Sequence, residues 1–129
     1  FDDAMARQIY AGCDVFLMPS RYEPCGLGQL MAMRYGAVPI GRRTGGIADT
    51  VLDSTDHGEH ATGFLFDEFT SFAFAAAFER AVVAFHRTGE WARLQVNGMS
   101  RDYSWRASAW HYEDAYSAAL RSRGIVPRE

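Results

Sequence analysis

The sequence predicts an α/β fold, with about three parallel strands and flanking helices. Three observations predict it. Short apolar, β-compatible runs recur along the chain: Val15-Phe16-Leu17-Met18, Ala37 to Gly41 and Gly63-Phe64-Leu65-Phe66. Between them lie stretches with apolar residues at helical spacing, such as Leu27, Leu30 and Met31. The first two runs also lead into glycine-bearing turns, SRYEPCGLG at 20–28 and RRTGG at 42–46. A strand, a helix and a strand in that order imply a crossover between parallel strands, which brings both turns to one edge of the sheet.

Taken in order, Phe1-Asp2-Asp3 leads into a helix with Met5 and Ile9 on one face and Gly12 as its C-terminal cap. The first strand and the SRYEPCGLG turn follow, then a helix from about Leu27 to Tyr35 stopped by Gly36, then the second strand. Gly45-Gly46 opens a short helix over Ile47 to Leu52, and Asp53 to Ala61 (DSTDHGEHA) reads as a polar loop before the third strand. From Thr70 the spacing of Phe74, Phe78, Ala81, Val82 and Phe85 predicts a helix that buries this face, with Gly89 after it. Helices from about Trp91 to Tyr103 and from Trp105 to about Arg121, the last N-capped by Ser104, complete the chain before a frayed tail, Gly124 to Glu129.

With 129 residues, 48% of them hydrophobic, the chain buries one modest core and is read as a single domain. The net charge of −3 is spread over both signs along the chain, which excludes nucleic acid and anionic membrane as the main partner and leaves a small neutral or anionic ligand. Cys13 and Cys25 resemble no disulfide framework, and a reduced cytoplasm is the expected compartment.

Ligands of open α/β sheets bind at the carboxyl ends of strands, where the two glycine turns fall. Glycines there let backbone N–H groups at a helix start approach anionic or hydroxyl-rich groups, and Glu23 faces the ligand from the same loop. The competing reading of Gly26, Gly28, Gly45 and Gly46 is plain turn chemistry, and that of Glu23 a solvated carboxylate favouring the helix N-terminus. Arg42 and Arg43 are either solvated charges or phosphate contacts. Cys25 is given no nucleophilic role, since no base is visible beside it. His57, His60, Asp53, Asp56 and Glu59 share a loop but fit no strong ligand spacing, so no metal is expected. The aromatic residues Trp91, Trp105, Trp110, Tyr112 and Tyr116 read as packing rather than as a carbohydrate-stacking platform.

SRYEPCGLGQLMAMRYGAVPI followed by RRTGGIADTV resembles the bacterial glycogen synthase and plant starch synthase family. TGFLF and the Tyr103-Ser104-Trp105, Ser108-Ala109, Tyr112 and Tyr116 pattern extend the resemblance over nearly the whole chain. It implies a GT-B enzyme, whose cleft lies between two Rossmann-like domains, and it covers only the latter half of the second. It also implies roles. Glu23 would hold the donor glucose, Cys25 and Gly26 would offer N–H groups to its hydroxyls, and Leu27 and Gly28 would offer theirs to the diphosphate. Thr44, Gly45 and Gly46 would line the cleft, and Phe1 would stack on adenine where similar enzymes often carry Tyr. Two positions depart from related enzymes: Met31 stands where many retaining glycosyltransferases place a second glutamate, and Gly28 where Thr is common.

The expected activity of the full enzyme is transfer of glucose from ADP-glucose to the non-reducing end of an α-1,4-glucan, with retention and without a cofactor. The chain alone, lacking the N-terminal domain, is expected to be inactive and to self-associate. The alternatives are another retaining nucleotide-sugar glycosyltransferase of GT-B fold, or a non-enzymatic binding or interaction module.

Overall fold

A computed structural model describes residues 2–124. The expected roles of Phe1 and of the tail beyond Gly124 lie outside the described residues. Three strands, β1 (Val15–Met18), β2 (Val38–Arg42) and β3 (Phe64–Phe66), form one sheet in the order β1-β2-β3. Both pairings are parallel, with Val15 opposite Val38 and Ile40 opposite Phe64. The expected α/β class therefore stands, with the strand ends within a residue or so of the sequence reading.

Helices cover both faces. On one, α1 (Asp3–Gly12), α2 (Gly28–Arg34) and α3 (Gly45–Thr50) lie over Phe16, Met18 and Leu65. On the other, α5 (Ser71–Phe85) and α6 (Thr88–Ser100) bury Val38, Ile40, Phe64 and Phe66. The α2 stop is a Schellman turn. Gly36 takes φ +84°, and the N–H groups of Gly36 and Ala37 donate to the carbonyls of Met33 and Ala32. That cap starts β2 directly beneath the helix.

Four local expectations are corrected. Gly12 does not cap α1: it stays helical, and Cys13 in extended backbone ends the helix, its N–H donating to the Ile9 carbonyl. The sixth helix begins at Thr88 and takes in Gly89. The loop over Asp53 to Ala61 holds α4 (Ser54–His57) and a 3-10 turn, Gly58–His60, because the Asp53 carboxylate caps it by accepting from the Thr55 N–H at 2.8 Å. On α5 the buried residues are Ala77, Ala81 and Ala84, whereas Phe78, Val82 and Phe85 are exposed. Alanines let the helix approach the sheet closely, so the larger side chains move to its flank. There, with Asp14 and Val15, they line an open trough of about 330 Å³ beside the outer edge of β1. The last helix, α7 (Trp105–Ser122), is N-capped by Ser104 as expected but buries no residue, and Trp105, Trp110, Tyr112 and Tyr116 are exposed.

Asp53 is the one buried charged residue among the described residues, only 2% exposed. The Arg80 guanidinium reaches both its oxygens at 3.1 and 3.2 Å, the Leu65 N–H donates to it, and Arg80 also bonds the Leu65 carbonyl at 2.6 Å. One ion pair thus joins α5, β3 and the start of α4. Burial alone would raise the Asp53 pKa, but the bonds from Arg80, Leu65 and Thr55, with the Arg80 charge, outweigh it and hold the carboxylate below its ordinary value of 3.8. A lowered pKa contributes stability that is complete above the ordinary value and lost as pH falls through the folded one. We therefore expect urea midpoints of the chain to drop below about pH 4, with Asp53→Asn lacking that part of the acid dependence and losing about 3 kcal/mol at pH 7. Parallel acid profiles for the two proteins would remove the carboxylate from this role.

Candidate functional site

The carboxyl ends of β1 and β2 carry the two glycine turns, and they touch backbone to backbone. The Gly46 N–H, in the first turn of α3, donates to the carbonyls of Glu23 and Pro24 at 3.1 and 3.2 Å. A Cβ on Gly45 would overlap the Glu23 carbonyl oxygen, and one on Gly46 would overlap that of Cys25. Gly45 also takes φ +45°, a conformation side chains rarely adopt. These two glycines are therefore a seat for the 20–28 loop, and the Gly46 N–H is already used in holding it.

Within that loop Glu23 is half-buried, with Ser20 Oγ donating to its Oε2 at 3.3 Å. Cys25 is an exposed free thiol. Gly26 is buried at φ +69°, where a Cβ would meet the Gln29 side chain. Leu27 is exposed and caps α2 without a side-chain bond, and Gly28, the first helical residue, lies against Phe16 and Tyr10. Among the described residues nothing accepts from the N–H groups of Cys25, Gly26 or Leu27. Thr44, half-buried and extended, precedes α3 without capping it through its hydroxyl. The loop thus presents a carboxylate and a run of unpartnered N–H donors at one sheet edge. That set is suited to hydroxyls and to anionic oxygens.

The basic residues beside it are engaged. Arg42 donates to the carbonyls of Arg21 and Asp67 and faces the Phe69 ring, while Arg43 pairs with Asp56 at 2.7 Å and Asp67 at 3.0 Å. Asp53 and Asp56 of the loop weighed for metal are likewise held by arginines, Arg80 and Arg43. Two residues that sequence reasoning passed over sit beneath the loop. Gln29 is fully buried and donates to the Cys25 carbonyl and to Thr50 Oγ1. Its signal was available, since a polar side chain at 29 shares a helix face with the apolar Ala32 and Met33.

A parallel sheet flanked by helices, with glycine turns at its carboxyl edge, defines an open α/β domain of the class whose ligands bind outside the carboxyl ends of the strands. Residues 2–89 match the family described as Glycosyl transferases group 1, and the chain belongs to it. It is 51% identical over 124 residues to the glycogen synthase of Geotalea daltonii, covering 96% of this chain and 26% of that protein. It is 49% identical to the glycogen synthase of Moorella thermoacetica, with 95% and 26% covered. Among solved structures it resembles the catalytic domain of starch synthase IV from Arabidopsis thaliana bound to ADP and acarbose, with a TM-score of 0.83, 41% identity, and 94% of this chain and 25% of that one covered. Sucrose-phosphate synthase from Thermosynechococcus elongatus gives a TM-score of 0.68 at 29% identity, with 95% and 29% covered. These neighbours are GT-B glycosyltransferases, so the resemblance read from the sequence holds. The chain spans about a quarter of the length of the relatives it matches.

Proposed function

We propose that the chain is the donor-binding part of a retaining glucosyltransferase that moves glucose from ADP-glucose to the 4-hydroxyl at the non-reducing end of an α-1,4-glucan. It forms the latter half of the second Rossmann-like domain, and the partner N-terminal domain supplies the other wall of the cleft. The observation that carries the reading is the 20–28 loop, with Glu23 beside the unpartnered N–H groups of Cys25, Gly26 and Leu27. Identity near 50% to glycogen synthases over 124 residues supports it, as does the likeness to a starch synthase bound to ADP and acarbose.

In this reading Glu23 orients the donor glucose through a hydroxyl. The N–H groups of Cys25 and Gly26 hold neighbouring hydroxyls, and those of Leu27 and Gly28 meet the diphosphate at the start of α2, where the peptide dipoles favour negative charge. Thr44 lines the cleft, and Gly45 and Gly46 support the loop from behind. The acceptor hydroxyl attacks from the face the diphosphate leaves, with basic groups outside this chain stabilising the leaving group. The two thiols are unpaired, which suits a reducing cytoplasm.

Radiolabelled ADP-glucose with glycogen tests the reading on the full-length enzyme. Label should enter polymer, and its failure to do so with ADP-glucose while another nucleotide sugar serves would move the chain to a different glycosyltransferase. The isolated chain should transfer nothing, because half the cleft that orients the reactants is absent. It should also self-associate, since the outer edge of β1 has no partner among the described residues and Leu17, Phe78 and Phe85 are more than 40% exposed. Polymer labelling by the isolated chain, or a single 14.4 kDa species in light scattering at every dilution, would contradict this part.

A further inference from the structure

We propose that Gln29 and Thr50 are positioning residues that aim the N–H groups of the 20–28 loop at the donor, an inference that rests on the function proposed above. The side chains and backbone close a circuit between the two turns. Gln29 Nε2 donates to the Cys25 carbonyl at 3.3 Å and to Thr50 Oγ1 at 3.1 Å. Thr50 Oγ1 in turn donates to the Gly46 carbonyl, and the Gly46 N–H returns to the carbonyls of Glu23 and Pro24. Tyr103 steadies the far side, its hydroxyl donating to the Thr50 carbonyl at 2.6 Å.

The circuit decides direction because a peptide unit is planar. The described residues contain no cis bond, so every carbonyl stands opposite the N–H of the next residue. Holding the Pro24 carbonyl on Gly46 turns the Cys25 N–H away from α3. Holding the Cys25 carbonyl on Gln29 turns the Gly26 N–H away from the amide. Two inward carbonyls therefore set two successive outward donors, the pair assigned above to the donor glucose. The same residue closes the space behind them, since a Cβ on Gly26 would come within 2.9 Å of Gln29 Cδ.

Gln29 is not explained as filler. It is 0% exposed and its Oε1 has no partner, a loss that Met or Leu in the same space would avoid. What an apolar side chain lacks is a donor for the Cys25 carbonyl. Thr50 adds the hydroxyl that relays the amide to α3, which links the orientation of the loop to the seat on which it rests.

The test uses Gln29→Met, Thr50→Val and Thr50→Ser in the full-length enzyme. Gln29→Met and Thr50→Val should each raise the KM for ADP-glucose by about tenfold or more and leave the KM for glycogen unchanged, while Thr50→Ser stays near wild type. The double variant should be little worse than the worse single, as expected of one circuit. Partial unfolding alone would lower kcat by reducing the active fraction without moving either KM. Hydrogen exchange in the same proteins gives a readout independent of substrate: the Gly46 amide should exchange about tenfold faster or more in Thr50→Val, with β2 amides unaffected. An unchanged donor KM in Gln29→Met with active wild type, or unchanged Gly46 exchange in Thr50→Val, overturns the circuit. Wild type inactive on ADP-glucose rejects the proposed function instead, with the exchange result still deciding the circuit.

Discussion

Glu23→Ala in the full-length enzyme is expected to lower kcat by about 10²-fold or more while leaving the fold intact. The carboxylate is half-buried on the loop, and its only side-chain bond among the described residues is the 3.3 Å contact from Ser20. Little of the chain's stability passes through it, so the unfolding free energy should change by no more than a surface substitution changes it, within about 0.5 kcal/mol. Turnover is different. A group that orients the donor sets the distance and angle at the reacting carbon, where a displacement of about 1 Å costs on the order of 10²-fold. Glu23→Gln keeps the shape and one acceptor oxygen and should do less damage. Steady-state kinetics with circular dichroism separates the two effects, and wild-type turnover in the alanine variant rules the role out.

Gly46→Ala should injure stability and activity together. The added methyl has nowhere to go: it would overlap the Cys25 carbonyl oxygen and lie 2.7 Å from the Cys25 Cα, both backbone atoms that cannot rotate aside. Overpacking commonly costs about 1–3 kcal/mol, and a backbone obstacle puts this site at or above the upper end. Relief requires moving the Glu23–Cys25 segment off α3, which breaks the Gly46 hydrogen bonds and shifts Glu23. We expect a loss of about 3 kcal/mol in urea denaturation and at least a 10²-fold loss in kcat/KM for ADP-glucose. Gly12→Ala is the control, since a Cβ there meets nothing within 4 Å. Equal effects at the two positions would show that the close approach does not matter.

The contrast between those two glycines marks where reading along the chain stops. Gly12, Gly36 and Gly46 look alike in sequence, each beside a helix end. Only Gly36 takes the left-handed cap, and only Gly46 is forbidden a side chain by another segment. Similarly, the periodicity over 74–85 was correct about a helix and misplaced part of its buried face. Spacing reports that apolar residues share a side, but how closely the sheet approaches selects Ala77, Ala81 and Ala84 for burial.

What the sequence by itself determined was local or strongly patterned. Strand runs, helix spacing, the Ser104 cap and the glycine turns placed the strands and helices and put both turns at one sheet edge, because period and turn chemistry act over a few residues. SRYEPCGLGQLMAMRYGAVPI followed by RRTGGIADTV also carried the family resemblance, and residues 2–89 match the glycosyltransferase group 1 family. Only the tertiary structure decided the pairings made across long separations. It paired Asp53 with Arg80, 27 residues away, and Gln29 with Thr50, 21 residues away. Each of these is an ordinary polar residue along the chain; what selects the partners is the burial of Asp53 and Gln29 away from water, and burial is a property of the assembled layers rather than of any segment.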